Sequence, residues 1–407
     1  MPTPYPGDPS NFPADVNILS GGDAPNSTNF NTAYEGTLDR TAFLFQTAAA
    51  NFGQRLSRPV MADPTDTQHE NPAFCSPEWD PKNNQWIQGT WDGAAAFEIF
   101  ISYDGHDENW RSLTGGTFSA NPSGGGVCVA KDPNDTTTFH LGLAGGSSVK
   151  IWTGTSSGFS NSYGLTAAVG DVQAIQWPGS PGYIVFGTGG TTAAATNFVT
   201  SNDKMVTHAV TNIGAMVGAV PRWLLRSSGT VLLAVPVGAT FATPFVVTST
   251  DGHTFSQNTG GFAGNLLSTD TIVACDWGQD PSGGCFLMVV QTTGGGPGKI
   301  LRSPDGVNWT LVTSLTSLKG TVSLAAAGRM WMAVVGATSP APQTVFYSAD
   351  GLNWYRATAV LEQPTTVNAF VRSNFAGGPV QASQICVSNR YGARFTGFDN
   401  PPIGPVT

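Results

Sequence analysis

Carboxylates with a hydroxyl two positions before them are the most regular chemistry-bearing pattern in this chain. Asp104, Asp251, Asp305 and Asp350 each follow a serine by two residues and precede a glycine by one. Such carboxylates could ligate a metal. A turn explains them without an ion, because Asp and Ser side chains accept and donate hydrogen bonds to backbone groups close in sequence, and Gly adopts φ > 0 without a Cβ penalty. The histidines His69, His106, His140, His208 and His253 stand far apart, with no HExxH and no CxxC in the chain. Gly294 to Gly298 has no following helix or Lys-Ser/Thr, so it reads as a hairpin tip and not as a phosphate loop. The many serines favour no particular Ser/His/Asp triad. No catalytic residue, metal ligand or cofactor is therefore expected. Trp79, Trp177, Trp223 and Trp277 are the candidates for binding chemistry. Near strand ends their rings would either stack on a sugar or pack between neighbouring sheets, and the packing role is the commoner one.

The elements that position these residues are strands in a repeat. VFYSADGLNW ends at Trp354, ILRSPDGVNW at Trp309 and VVTSTDGHTF at Phe255, each an apolar run, an Asp-Gly turn and an aromatic three past the Gly. IFISYDGHDENW keeps Ser102, Asp104, Gly105 and Trp110. NFVTSND keeps Ser201 and Asp203. KIWTGTSSGF offers Thr153, Thr155, Ser156 and Phe159, and ICVSNRYGARF keeps Ser388 and Phe395 with Arg390 in the Asp place. The first hydroxyls fall at 102, 153, 201, 249, 303, 348 and 388, at intervals of 51, 48, 48, 54, 45 and 40 residues. That period suits four-stranded propeller blades. A further apolar strand with a tight turn precedes each marker, as in VQAIQWPGSPGYIVFGTG from Val172 and IVACDWGQDPSGGCFLMVVQ from Ile272.

The Ser-x-Asp-Gly-x-x-aromatic turn resembles the Asp-box (BNR-type) repeat of sialidase-like β-propellers, in a version one residue shorter between Asp and Gly. In that family the turn is architectural and lies away from the ligand face. The resemblance implies an all-β propeller fold, and the seven markers make it a seven-bladed β-propeller, with six or eight blades as neighbouring counts. Sialidases of the family use three arginines for the substrate carboxylate, a tyrosine nucleophile backed by a glutamate, and an acidic proton donor. Their first arginine sits in a Phe/Tyr-Arg-Ile-Pro motif. Here Arg58-Pro59-Val60 stands in that place, and Tyr391 has no recognisable glutamate partner. The pattern is broken, so hydrolysis is not expected.

Composition narrows the partners. Only 11% of residues are charged and 50 are glycine, a turn-rich β composition. A net charge of −9 disfavours nucleic acid and anionic membranes, which attract basic surfaces. No run of 18 apolar residues occurs, so no membrane-spanning helix is expected. The start, Met1 to Pro6, has neither a basic region nor an apolar core, and no secretory signal is expected there. The cysteines Cys75, Cys128, Cys275, Cys285 and Cys386 are scattered and read as small core residues. Cys275 and Cys285 fall on facing strands of one hairpin and are the single pair that could approach.

The first 52 residues differ from the rest. After a Pro-rich arm, Phe30, Tyr34, Leu38, Thr41, Phe45, Ala48 and Phe52 recur at steps of three and four, the spacing of an amphipathic helix. Its apolar face would pack on the propeller, on copies of itself or on another protein; Phe30, Tyr34, Leu38, Arg40 and Phe45 are the candidate partner-binding residues. The segment from Gly21 to Leu44 also resembles an N-terminal segment of bacteriophage tail and other virion proteins, matched at Asp23, Asn31, Glu35, Leu38, Asp39, Arg40 and Thr41. The resemblance implies attachment to a particle. The expected organisation is an arm and helix over 1–52, a propeller over 53–400 with Leu56 to Met61 as a strand that could close the ring, and a tail over 401–407. The expected function is a structural virion component located in the particle, its propeller serving as adaptor, decoration or receptor-contacting head. Its partners would be other virion proteins and host-surface glycan. The alternatives are a glycan-binding lectin propeller and, behind it, a glycoside hydrolase.

Overall fold

The computed structural model describes residues 182–292 and 296–316 continuously, and elsewhere between 73 and 397 the strands with a few of their turns. The expected arm, the helix with Phe30, Tyr34, Leu38, Arg40 and Phe45, the strand at 56–61 and the tail lie outside the described residues.

Seven antiparallel sheets follow one another along the chain. Sheets 2 to 6 are four-stranded meanders over 124–166, 171–212, 222–258, 270–315 and 322–356. Sheet 1 has its first strand broken in two, Ala73–Phe74 and Glu78–Asp80, both paired to Gln85–Trp91. Sheet 7 has three strands, Ala369–Ser373, Ile385–Asn389 and Arg394–Gly397. The first strands lie side by side in order, from Gly124–Lys131 through Asp171–Trp177, Arg222–Ser227, Asp270–Asp280 and Val322–Ala327 to Ala369–Ser373. Glu78–Asp80 lies against both Gly124–Lys131 and Ala369–Ser373. Sheets in radial succession around their first strands are a β-propeller.

The apolar core lies between sheets. Along the second strand of sheet 5, Phe286, Met288 and Val290 pack toward sheet 4, with Leu224, Leu233 and Val246. The alternate residues Cys285, Leu287 and Val289 pack toward sheet 6, with Leu324, Trp331 and Phe346. A strand buried on both faces reads as an unbroken apolar run while period two decides which neighbour each side chain meets. The same alternation separates the two cysteines. Cys275 pairs across the strands with Met288 and Cys285 with Gly278, the two thiols belong to different clusters, and both are free.

One marker is corrected. Ser102, Thr153, Ser201, Ser249, Ser303 and Ser348 lie on third strands, at or near the turn to the outer strand, whereas Ser388 lies on the second strand of sheet 7. A hydroxyl after a short apolar run looks alike at either place, because the two strands differ in their neighbours across the sheet and not in local sequence. Among the described residues no helix is long and apolar enough to cross a membrane.

Candidate functional site: two chemically different ends of the sheets

Sheets 2 to 6 each carry hairpins between their first and second and their third and fourth strands at one end. The links between second and third strands, and between successive sheets, lie at the other. The hairpin end holds the Asp turns. Ser303 Oγ donates to Asp305 Oδ1 at 2.9 Å, the N–H groups of Val307 and Asn308 donate to the same oxygen at 2.8 Å each, and Asn308 Nδ2 donates to Oδ2 at 2.7 Å. Asp350 repeats the pattern with Ser348, Leu352 and Asn353, and Asp251 with Ser249, His253 and Thr254. Gly252, Gly306 and Gly351 sit at φ 72°, 75° and 70°, the left-handed region each turn requires. Burial raises the Asp305 carboxyl, but the hydrogen bonds from Asn308, Val307 and Ser303 outweigh it and hold the pKa at about 2. Burial likewise opposes, and the turn's donors overcome it, at Asp251 and Asp350, both held below the usual carboxylate range.

Two departures show what the turn needs. In sheet 3 Lys204 replaces the Gly and still adopts φ 63°, its ammonium paired with Asp135 of sheet 2. In sheet 2 Thr155 replaces the Asp. There the Thr153 hydroxyl meets His140 Nδ1 at 2.9 Å, and His140 Nε2 meets Asp132 Oδ2 at 2.8 Å. The carboxylate missing from the turn is thus supplied from the neighbouring hairpin through a histidine. His140 and Asp132 are wholly buried. An Asp-His-hydroxyl series is thus formed with its Asp and His buried, and it ties the first hairpin of sheet 2 to its third strand.

Asp132 belongs to a second repeat that the Asp-turn reading overlooked, the Asp-Pro doublet at 80–81, 132–133 and 280–281. In the first hairpin of sheets 2 and 5 this Asp accepts the N–H two residues on, from Asn134 at 2.9 Å and Ser282 at 2.7 Å. Its other oxygen takes a cross-strand partner, His140 in sheet 2 and Arg302 in sheet 5. The doublet was visible, but its partners lie strands away. Nearer the axis, Arg226 Nε donates to Cys275 O at 2.7 Å and lies 3.0 Å from Asp276 Oδ1. Asp276 Oδ2 accepts the Ala326 N–H at 3.0 Å. These two side chains join the first strands of sheets 4, 5 and 6 and satisfy backbone groups on their open inner edges.

The opposite end is different chemically. The four connections 189–197, 212–221, 237–246 and 258–269 contain no Asp, Glu, Lys, Arg or His. They present Thr191, Thr192, Met216, Thr243 and Leu267 as exposed side chains, with Phe241 half-buried. Hydrogen bonds knit them: Gly190 N–H to Val220 O at 2.7 Å, Ile213 N–H to Thr196 O at 3.1 Å, and Gly238 N–H to Ile272 O at 3.4 Å. Phe241 rests edge-on against Phe245 with centroids 5.0 Å apart, and Phe245 edge-on against Trp223 at 6.4 Å.

The four candidate tryptophans are not brought together. Trp177 ends its strand at the hairpin end, buried under the next sheet's turn, where a Cβ on Gly252 would lie 2.7 Å from the indole. Trp223 starts its strand at the opposite end, fully buried, its Nε1 donating to Thr188 O at 3.2 Å. Both fill space between sheets and offer no face to a ligand. Trp277 is half-buried, edge-on to Phe286 at 4.6 Å. Trp79 faces Trp86 in the strand register. Among the described residues no three His, Cys, Asp or Glu side chains could hold a metal ion.

No family model and no curated protein sequence matches this chain. Solved structures do. YCF48 bound to D1 peptide shares 14% identity, covers 84% of this chain and 98% of its own, and has a TM-score of 0.50. The SapL1 lectin in complex with α-methyl fucoside shares 12%, covering 72% and 98%, at a TM-score of 0.47. The six-bladed lectin of Aleuria aurantia shares 13%, covering 72% and 97%, at 0.42. At these identities likeness concerns the fold alone, and the sheet order above is what makes this chain a β-propeller.

Proposed function

We propose that this protein is a non-catalytic recognition propeller of seven blades that binds glycan through its connection-bearing end. The observation that carries the reading is the contrast between the Asp turns of the hairpin end and the four uncharged connections at the other. At the hairpin end the carboxylates of Asp251, Asp305 and Asp350 are tied to turn N–H and O–H groups, and a carboxyl held below its ordinary pKa is a poor proton donor at neutral pH. At the other end, hydroxyls stand beside half-buried Phe241, on connections pre-ordered by their own hydrogen bonds. Alternating hydroxyl and apolar surface suits a sugar, whose O–H groups need polar partners and whose C–H faces lie on aromatic rings. The blade count is supported by the contacts of Glu78–Asp80 with both the second and the last sheet. A glycan array with the full chain tests the reading. Binding that Phe241→Ala lowers about tenfold, roughly 1.4 kcal/mol, is the expected result, and turnover of a fluorogenic sialoside by the same protein would sink it.

The virion reading is carried by the resemblance of residues 21–44, and in it residues 1–52 attach this recognition head to a particle or to further copies of the chain. It is compatible with a glycan-binding head. Solution mass of the full chain against one starting at residue 53 tests it.

A further inference from the structure

We infer that the ligand of the connection-bearing end is an uncharged glycan, selected over its sialylated or sulfated counterpart; the inference rests on the glycan reading above. The reason lies in what the four connections 189–197, 212–221, 237–246 and 258–269 of that end lack and in how the charges nearest them are disposed. Recognition of a carboxylate or sulfate relies on a guanidinium or ammonium aimed at the anion. The four connections contribute none. Lys299, the cation beneath the 258–269 connection, donates to Asp270 Oδ2 at 2.8 Å and to Asn265 O at 3.2 Å. That carboxylate is buried and also accepts the Leu267 N–H at 3.0 Å, so the pair is neutral and turned into the fold. Arg222 and Lys319 stand at the margins, at the start of sheet 4 and in the connection from sheet 5 to sheet 6, and each already has an interaction of its own. The side chains that the four connections leave exposed or half-buried include Thr191, Thr192 and Thr243 with Met216, Phe241 and Leu267. Hydroxyls there can meet sugar O–H groups, and the apolar side chains can meet C–H faces or an acetamido methyl. Desolvating an anion against this surface would leave its charge without a partner, which is costly.

The test uses the full chain and matched glycan pairs, each a neutral hexose or N-acetylhexosamine oligosaccharide and its sialylated or sulfated form. The neutral member is expected to bind at least about tenfold more tightly, a difference of about 1.4 kcal/mol. Its affinity should change less than about twofold between about 50 and about 500 mM salt, because no ion pair is there to screen. A preference for the charged member, or a steep fall with salt, overturns the inference and leaves glycan binding intact. Failure to bind any glycan overturns the glycan reading itself. Met216→Glu, an exposed change on a helical turn, places a carboxylate on this surface and should weaken neutral-glycan binding about tenfold. Unchanged affinity would mean the ligand sits elsewhere and would overturn the assignment of this end.

Discussion

Three glycines at equivalent turn positions separate backbone conformation from packing. Gly252, Gly306 and Gly351 share φ near 70°, so replacement by alanine carries a common conformational cost of about 1–2 kcal/mol at each. Their surroundings differ. A Cβ on Gly306 would meet Phe286 at 3.4 Å, an ordinary contact, whereas on Gly351 it would lie 2.9 Å from the Trp331 indole nitrogen and on Gly252 2.7 Å from the Trp177 ring. Destabilisation should therefore rise from Gly306→Ala through Gly351→Ala to Gly252→Ala in urea or thermal unfolding. Equal losses at all three would mean that the turn alone decides and that the contact with the indole is unimportant. The need for glycine at these sites was legible in the sequence, because φ > 0 is a local demand. That a tryptophan of the preceding sheet, and not a ligand, occupies the space above Gly252 was not legible, since Trp177 lies 75 positions earlier.

The Asp turn is the element for which sequence and structure correspond most closely, and the reason is again locality: Ser303, Asp305, Val307 and Asn308 form a closed hydrogen-bonding unit within six residues. Where the unit loses its Asp, as in sheet 2, the replacement comes from Asp132 and His140, too distant in sequence to be inferred. The turns also make the fold sensitive to acid. An Asp in the unfolded chain titrates near pH 3.9, while Asp305 in the fold titrates at about 2 and Asp203, Asp251 and Asp350 are likewise lowered. A lowered folded pKa means stability that is fully present above the unfolded value and lost as pH falls through the folded one. The window runs downward from about pH 4, toward and below about pH 2. Asp305→Asn should be less stable than the parent at about pH 7, and the gap should narrow as pH approaches 2, where the parent carboxyl is protonated as well. Thermal midpoints of both proteins across this range are the measurement. A gap that stays constant would show that the Asp305 charge contributes nothing to the turn.

At the scale of the whole molecule stability is distributed, because among the described residues an apolar layer fills each successive interface from sheet 2 to sheet 6. The clusters between sheets 2 and 3, 3 and 4, 4 and 5, and 5 and 6 consist entirely of residues after 127. The repeat period announced this architecture in the sequence, but that the four uncharged connections share one end of the sheets became visible only once the strands were placed, since hairpins and connections alternate along the chain. If residues 1–52 are an arm, as proposed, a chain beginning at residue 53 should fold with a thermal midpoint within a few degrees of the full-length protein and should keep its affinity for any glycan the full chain binds. If residues 1–52 serve attachment, the full chain alone should form the larger species in light scattering. A truncated chain that fails to fold would mean that the segment completes the sheet system and is no arm. A truncated chain that folds and assembles like the parent would place the assembly surface on the propeller itself.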